Sequence, residues 1–319
     1  VQEAPETIVV RLPNHLGDVC MALPALHLLA AARLQLLLAG RPWVEALLAA
    51  EKWPFCPLRG SLWADARRLR VAAADCGAHR ALLLPNSFGS ALSCRLAGLQ
   101  PAGFATDGRG LLLAQRVPQP SETHEVERFF AAARGALAAW GKPTPATQPP
   151  ARLNLRLREA DRAAARAALS AAGVAGPFAL LAPVARGTHR GQPKHWPHFA
   201  ALPAALAARG LHALAAPPAD EAAATQAALP GAMLLPPLPL GVFAALAAQA
   251  RIVIANDSGT SHVAAAVGVP QVTIIGVTDA RRTGPWSTQA QTAGRDGAWP
   301  GVAQVLAAIE RALAAARPA

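Results

Sequence analysis

Apolar residues fall in short continuous runs separated by longer amphipathic stretches, and this alternation occurs in two series along the chain. Runs such as TIVVRL at 7–12 are apolar nearly throughout and read as strands buried on both faces. Further strands are predicted at 35–38, 81–84 and 102–104, with helices at 18–32, 87–97 and 124–140. The second series predicts strands at 178–182, 212–215, 252–255 and 272–275. Its helices are predicted at 159–172, 198–209, 220–229, 240–250, 260–267 and 301–315. Strands alternating with helices in this way predict an α/β protein whose parallel sheets are covered on both faces.

The stretch GKPTPATQPPAR at 141–152 holds four prolines and interrupts the alternation. It reads as a linker. Two domains follow, 1–146 and 147–319. In open parallel sheets, ligands bind beyond the carboxyl ends of the strands. The loops after Leu12, Leu84, Ala182, Ala215 and Ala255 are therefore expected around one interdomain cleft.

Composition narrows the class. The chain has 319 residues, 53% of them hydrophobic and 15% charged, which excludes disorder. The richest apolar stretch, 22–38, is broken by His27, Arg33 and Gln35, so no membrane-spanning helix is predicted. Residues 1–7 carry Glu3 and Glu6 and do not read as a secretory leader, so a soluble cytoplasmic chain is expected. Cys20, Cys56, Cys76 and Cys94 form no CxxC pair, which argues against a metal cluster. The formal charge of +11 suggests anionic partners. Nucleic acid is not the expected one, because no basic run is interleaved with aromatics and there is no Tyr.

Three loops carry candidate chemistry. In NDSGTSHVAAAVGVP, Asp257 or Ser258 is a natural N-cap, Gly259 permits close backbone approach, and the helix should end at Gly268. The exposed N–H groups at this helix start suit an anion such as a diphosphate, with His262 one turn in as a second donor. An ordinary capped helix is the alternative. In PVARGTHRGQPKHWPHF, Lys194 is one of only three lysines, with Lys52 and Lys142. It reads either as a point charge for phosphate or as a solvated lysine, with Arg186, His189 and Arg190 adding positive charge nearby. In PNHLGDVCMALPAL, Gly17 should allow a sharp turn, and Asp18 reads either as an N-cap or as a general base.

Taken together, RLPNHLGDVCMALPAL, LPNSFGSAL, PKHWP and NDSGTSHVAAAVGVP followed by IIGVTD resemble the bacterial lipopolysaccharide heptosyltransferases of glycosyltransferase family 9. The resemblance covers nearly the whole chain, and LPNSF is more similar to the heptosyltransferase II branch. It implies a GT-B fold, two Rossmann-like domains whose parallel sheets face a central cleft, with the last helix, about 301–315, crossing back onto the first domain. It implies an ADP-heptose donor bound by the C-terminal domain. The acceptor would be the lipopolysaccharide inner core at the inner membrane surface, bound by the N-terminal domain.

By the same resemblance, Asp18 is the base and Lys194 contacts the donor diphosphate. Asp257, Ser258, Gly259 and His262 contact phosphate and sugar, and Glu221 contacts the ribose. Asn14, His15, Gly17, Asn86, Ser87, Thr188 and Arg190 are candidate acceptor or loop contacts. No cofactor and no metal are expected, since there is no Asp-x-Asp pair to bridge a diphosphate through an ion. Arg67, Arg68 and Arg70 form either an acceptor patch or a solvated helix face. The rival readings are a nucleotide-sugar epimerase or hydrolase on the same fold, acceptor specificity of the I or III branch, and a charge-driven nucleic-acid binder. Peripheral attachment to the cytoplasmic face of the inner membrane is the alternative location.

Overall fold

The computed structural model describes residues 5–185 and 187–315, so Arg186 lies outside the described residues. The chain divides into two compact units between Pro150 and Ala151, inside the proline-rich stretch.

The first unit is built on strands β1 (Thr7–Arg11), β2 (Gln35–Gly40), β3 (Phe55–Pro57), β4 (Arg80–Leu83), β5 (Gln100–Phe104) and β6 (Gln115–Val117). They form one parallel sheet in the order β3-β2-β1-β4-β5-β6. Its helices are α1 (Leu16–Met21), α2 (Leu23–Ala31), α3 (Trp43–Leu48), α4 (Leu62–Asp75), α5 (Phe88–Leu96) and α6 (Glu125–Ala139). The single helix predicted at 18–32 is two, parted at Ala22. The reason is Pro24, which has no N–H to donate and whose ring crowds the preceding turn.

The second unit repeats the plan. It contains α7 (Glu159–Ala171), β7 (Phe178–Ala182), the hairpin strands β8 (Thr188–His189) and β9 (Gln192–Pro193), and α8 (Leu202–Ala207). Next come β10 (His212–Ala215), α9 (Ala222–Ala228), β11 (Met233–Leu234), α10 (Leu240–Gln249), β12 (Ile252–Asn256) and α11 (Gly259–Val267). The chain continues through β13 (Gln271–Ile275), α12 (Ala280–Thr283) and β14 (Ala290–Gly294) to α13 (Val302–Ala315). Its parallel sheet runs β11-β10-β7-β12-β13-β14.

Central strands are buried along their full length, as continuous apolar runs require; β12 and β13 have no exposed residue. Alternate residues face opposite layers. Ala179, Leu181, Ile252, Ile254, Val272 and Ile274 share one core cluster with Phe199, Leu202 and Leu206.

The final helix joins the core of the second unit. Its stripe Val305, Ala308, Ile309 and Ala312 follows helical spacing and is buried in that same cluster. Over its described length it therefore packs on the second unit's own sheet. The helix predicted at 198–209 is shorter, a 3-10 turn (Phe199–Ala201) followed by α8 with Pro203 in its first turn.

Candidate active site

Each sheet has one place where the strand order reverses direction, between β1 and β4 in the first unit and between β7 and β12 in the second. Neighbouring loops leave such a switch point on opposite faces and open a crevice. The loops after these four strands hold Asp18, Asn86, Lys194 and Asp257, so the motif-bearing segments sit at both switch points.

At the first unit's edge, the turn out of β1 is made by Pro13, Asn14 and His15. His15 is the N-cap residue of α1, in extended conformation and without a side-chain cap hydrogen bond. Asp18 is the third residue of the helix and half-buried, not its N-cap. Gly17 is buried inside α1 and has no positive φ, so it is not the turn residue expected from its type. The loop is held by Arg11, whose guanidinium donates to the Leu12 carbonyl and, at 2.8 Å, to Asn14 Oδ1. Burial lowers the Arg11 pKa from its usual value. Cys20 is sealed beneath the loop; burial, with the Asp18 charge adding to it, pushes its thiol up to about 12.

The loop after β4 is fixed by a second arginine. Arg109 is fully buried, and its Nε donates to the Phe104 carbonyl at 2.8 Å. Its terminal nitrogens donate to the Pro85 carbonyl and, at 3.1 Å, to Asn86 Oδ1. No carboxylate among the described residues forms an ion pair with it. Burial lowers its pKa, against an opposing pull from Asp107. Ser87 then caps α5, its Oγ accepting from Ser90 N at 3.3 Å.

At the second unit's edge, β12 ends at Asn256, which is fully buried. Its Oδ1 accepts from Trp196 N at 3.0 Å and its Nδ2 donates to the Pro183 carbonyl at 2.5 Å. Trp196 in turn donates its indole N–H to the Pro300 carbonyl at 2.7 Å. One amide thus ties the end of β7, the loop of Lys194 and the start of α11 together. Gly276, just past β13, allows the neighbouring Trp299 to close on the same edge; a Cβ there would stand 2.1 Å from its ring.

Ser258 occupies the N-cap position of α11, but its side chain makes no cap hydrogen bond and its buried Oγ has no partner. The cap expected from its residue type is therefore absent, and the side chain does not shield the helix start. Asp257 and His262 are both buried, His262 Nε2 lying 3.9 Å from Asp257 Oδ1. Gly268 ends the helix with φ 74°, as its type suggested.

Lys194 follows the β8–β9 hairpin, is half-buried, and has no hydrogen-bond or ion-pair partner among the described residues. Thr188 is exposed, and Arg190 at the hairpin tip pairs with Asp296 at 3.1 Å. Glu221 closes the 3-10 turn Ala219–Glu221 that follows β10, at the start of α9. The run Arg67–Arg68–Arg70 is divided: Arg68 pairs with Asp65 at 3.2 Å, while Arg67 and Arg70 are exposed.

Asn256, Trp196, Arg11 and Arg109 were not singled out by residue type. The available signals were a polar residue closing an otherwise apolar strand and arginines beside strand ends.

Two Rossmann-like units carrying these edges define a GT-B-like glycosyltransferase fold. The family model described as "Glycosyltransferase family 9 (heptosyltransferase)" matches residues 66–303, and the chain belongs to that family. No curated protein sequence matches it. Among solved structures it is similar to the E. coli ADP-heptose lps heptosyltransferase II, with 23% identity and a TM-score of 0.79 over 97% of this chain and 99% of that one. It is similar to a glycosyl transferase family 9 structure from Veillonella parvula DSM 2008, with 16% identity and a TM-score of 0.76 over 91% and 86%. It is also similar to E. coli heptosyltransferase WaaC with ADP-2-deoxy-2-fluoro heptose, with 19% identity and a TM-score of 0.71 over 98% and 100%. At these identities the likenesses carry the fold, and the family match carries the enzyme class.

Proposed function

We propose that this chain is an inverting glycosyltransferase that moves L-glycero-D-manno-heptose from ADP-heptose to the inner core of lipopolysaccharide, with the acceptor range of the heptosyltransferase II branch. The observation that carries the donor side is the tie, through Trp196 N and Asn256, between the loop of Lys194, which has no partner among the described residues, and the uncapped start of α11. A cation and a helix N-terminus together suit a diphosphate. The bound ADP-2-deoxy-2-fluoro heptose named for the WaaC structure supports an ADP-sugar here.

In this reading Asp18 takes the proton of the acceptor hydroxyl as its oxygen attacks the anomeric carbon. The bond from that carbon to the diphosphate breaks, and ADP leaves with its charge offset by Lys194 and the α11 backbone. One displacement inverts the anomeric centre. Asp257 holds His262, and Ser258 Oγ is free to meet phosphate or sugar. Glu221 takes the ribose. Asn14, His15, Asn86 and Ser87 face the acceptor, whose anionic groups suit a chain of charge +11. No helix among the described residues is long and apolar enough to cross a membrane, so a lipid-linked acceptor would be met from a peripheral position.

The test is to incubate the protein with ADP-heptose and defined inner-core acceptors bearing no heptose or one heptose, and to weigh the products. Addition of one heptose to the singly substituted acceptor is expected. Free heptose or an isomerised donor, with both acceptors unchanged, removes the transferase reading.

A further inference from the structure

Large apolar side chains left in solvent are concentrated in one part of the first unit. Trp63 is 72% exposed, Val71 56%, Phe88 49% and Leu111 89%. Trp63 and Val71 lie on α4. Phe88 opens α5, which packs against α4, and Leu111 lies in the 3-10 turn Arg109–Leu112 beside α5. Single exposed hydrophobics need no explanation, but several on adjoining elements do.

Helix α4 shows how the face is organised. At about 100° per residue, Trp63, Arg67, Arg70, Val71 and Ala74 fall within an arc of about 100°. All five are exposed, while Asp65, Ala66, Leu69 and Ala73 point the other way and are buried. The inward carboxylate of Asp65 is occupied by the backbone N–H groups of Arg59 at 3.0 Å and Gly60 at 2.7 Å, and by Arg68. It is thereby turned away from the outer stripe. Arg70 donates to the Leu96 carbonyl, a neutral partner, and neither Arg67 nor Arg70 has a carboxylate partner among the described residues. The outer face therefore combines an indole and a valine with two uncompensated guanidinium groups.

We propose that the outer face of α4, flanked by Phe88 and Leu111, docks on an anionic lipid bilayer. An indole settles at the headgroup level, and guanidinium groups pair with lipid phosphates. The helix has 14 residues, about 21 Å, so it lies along the surface and does not span it. Charge chooses among occupants: a second copy would bring the same positive stripe and repel, whereas an anionic surface is complementary to it. This deepens the peripheral position suggested above, but it needs no acceptor to be tested.

The experiment sediments the full chain with vesicles of phosphatidylcholine containing roughly a third phosphatidylglycerol, free of any acceptor, and with pure phosphatidylcholine as control. Binding to the anionic vesicles only, and its loss at high salt, is expected. R67Q/R70Q should lower the partition coefficient about twenty-fivefold, from roughly a factor of five per charge. W63S/V71S should lower it roughly tenfold. It should leave kcat and KM on a water-soluble, delipidated acceptor unchanged. Wild-type protein that stays in the supernatant, or variants that sediment as it does, overturns the proposal. A dimer in light scattering that W63S/V71S abolishes would assign the face to a second copy instead. A raised KM for the soluble acceptor in W63S/V71S would assign it to the acceptor. Heptose transfer to the soluble acceptor by protein that ignores vesicles would sink this docking face and leave the transferase reading standing.

Discussion

The two sheet edges are built alike in topology but held by groups of different charge. In the first unit, the loops at the switch point are held by guanidinium groups. Arg11 holds Leu12 and Asn14, and Arg109 holds Phe104, Pro85 and Asn86. In the second unit, neutral groups do the same work: the Asn256 amide, the Trp196 indole and the Pro183 and Pro300 carbonyls. The difference shows which charges remain available for a ligand. Arginines bound to carbonyls are fixed in place yet not neutralised, so the first edge carries a built-in positive background around one half-buried carboxylate, Asp18. The Asn256 clamp of the second edge uses no cation, and Lys194 has no partner among the described residues, which is what the proposed diphosphate contact requires.

The sharpest way to break this comparison is to remove the one group at each edge assigned to chemistry. Asp18→Asn is expected to lower kcat by about 10²–10⁴ while leaving ADP-heptose affinity within a factor of two or so in calorimetry. Near-normal turnover would remove Asp18 as the base. Lys194→Ala should instead weaken donor binding by about 10- to 100-fold, the scale of one charge-assisted hydrogen bond. Unchanged donor affinity would place the lysine outside the diphosphate site.

Asn256 tests whether the neutral clamp positions that lysine. Asn256→Ala leaves the Trp196 N–H unpaired in a buried place and removes a donor from the Pro183 carbonyl, which should cost about 1–3 kcal/mol in denaturant unfolding. Donor affinity should also fall by roughly tenfold, and less than additively when combined with Lys194→Ala. Fully additive losses in that double-mutant cycle would show that the two residues act separately.

Much of the plan was legible from residue order, for reasons the structure makes plain. Strands such as 252–255 are buried on both faces, so their apolar runs stand out without any alignment. Gly268 at a helix end with positive φ is a local signal, and it read correctly. What escaped reading depends on distant partners. The short edge strands Phe55–Pro57, Gln115–Val117 and Met233–Leu234 have too few residues to show a period. The Asn256 amide finds Trp196 across 60 residues of chain, and nothing local to either announces it. Ser258 had the right type for a cap, yet its hydroxyl points elsewhere.

The smallest expected effect lies at the one place where the second edge uses an arginine as the first does. Arg190 sits with Gly191 at the tip of a two-residue hairpin, and both have positive φ, as such turns require. Its guanidinium is held by Asp296, but the pair is exposed, with Arg190 at 71%, and such bridges contribute little. If Arg190 only steadies the hairpin, Arg190→Ala and Asp296→Ala should each change donor KM by less than about threefold, with the difference vanishing at high salt. Should Arg190 instead reach the donor, the two variants would separate. Arg190→Ala would raise KM by tenfold or more, while Asp296→Ala, which frees the guanidinium, would lower it. That outcome would make the second edge a two-cation site and narrow the contrast with the first.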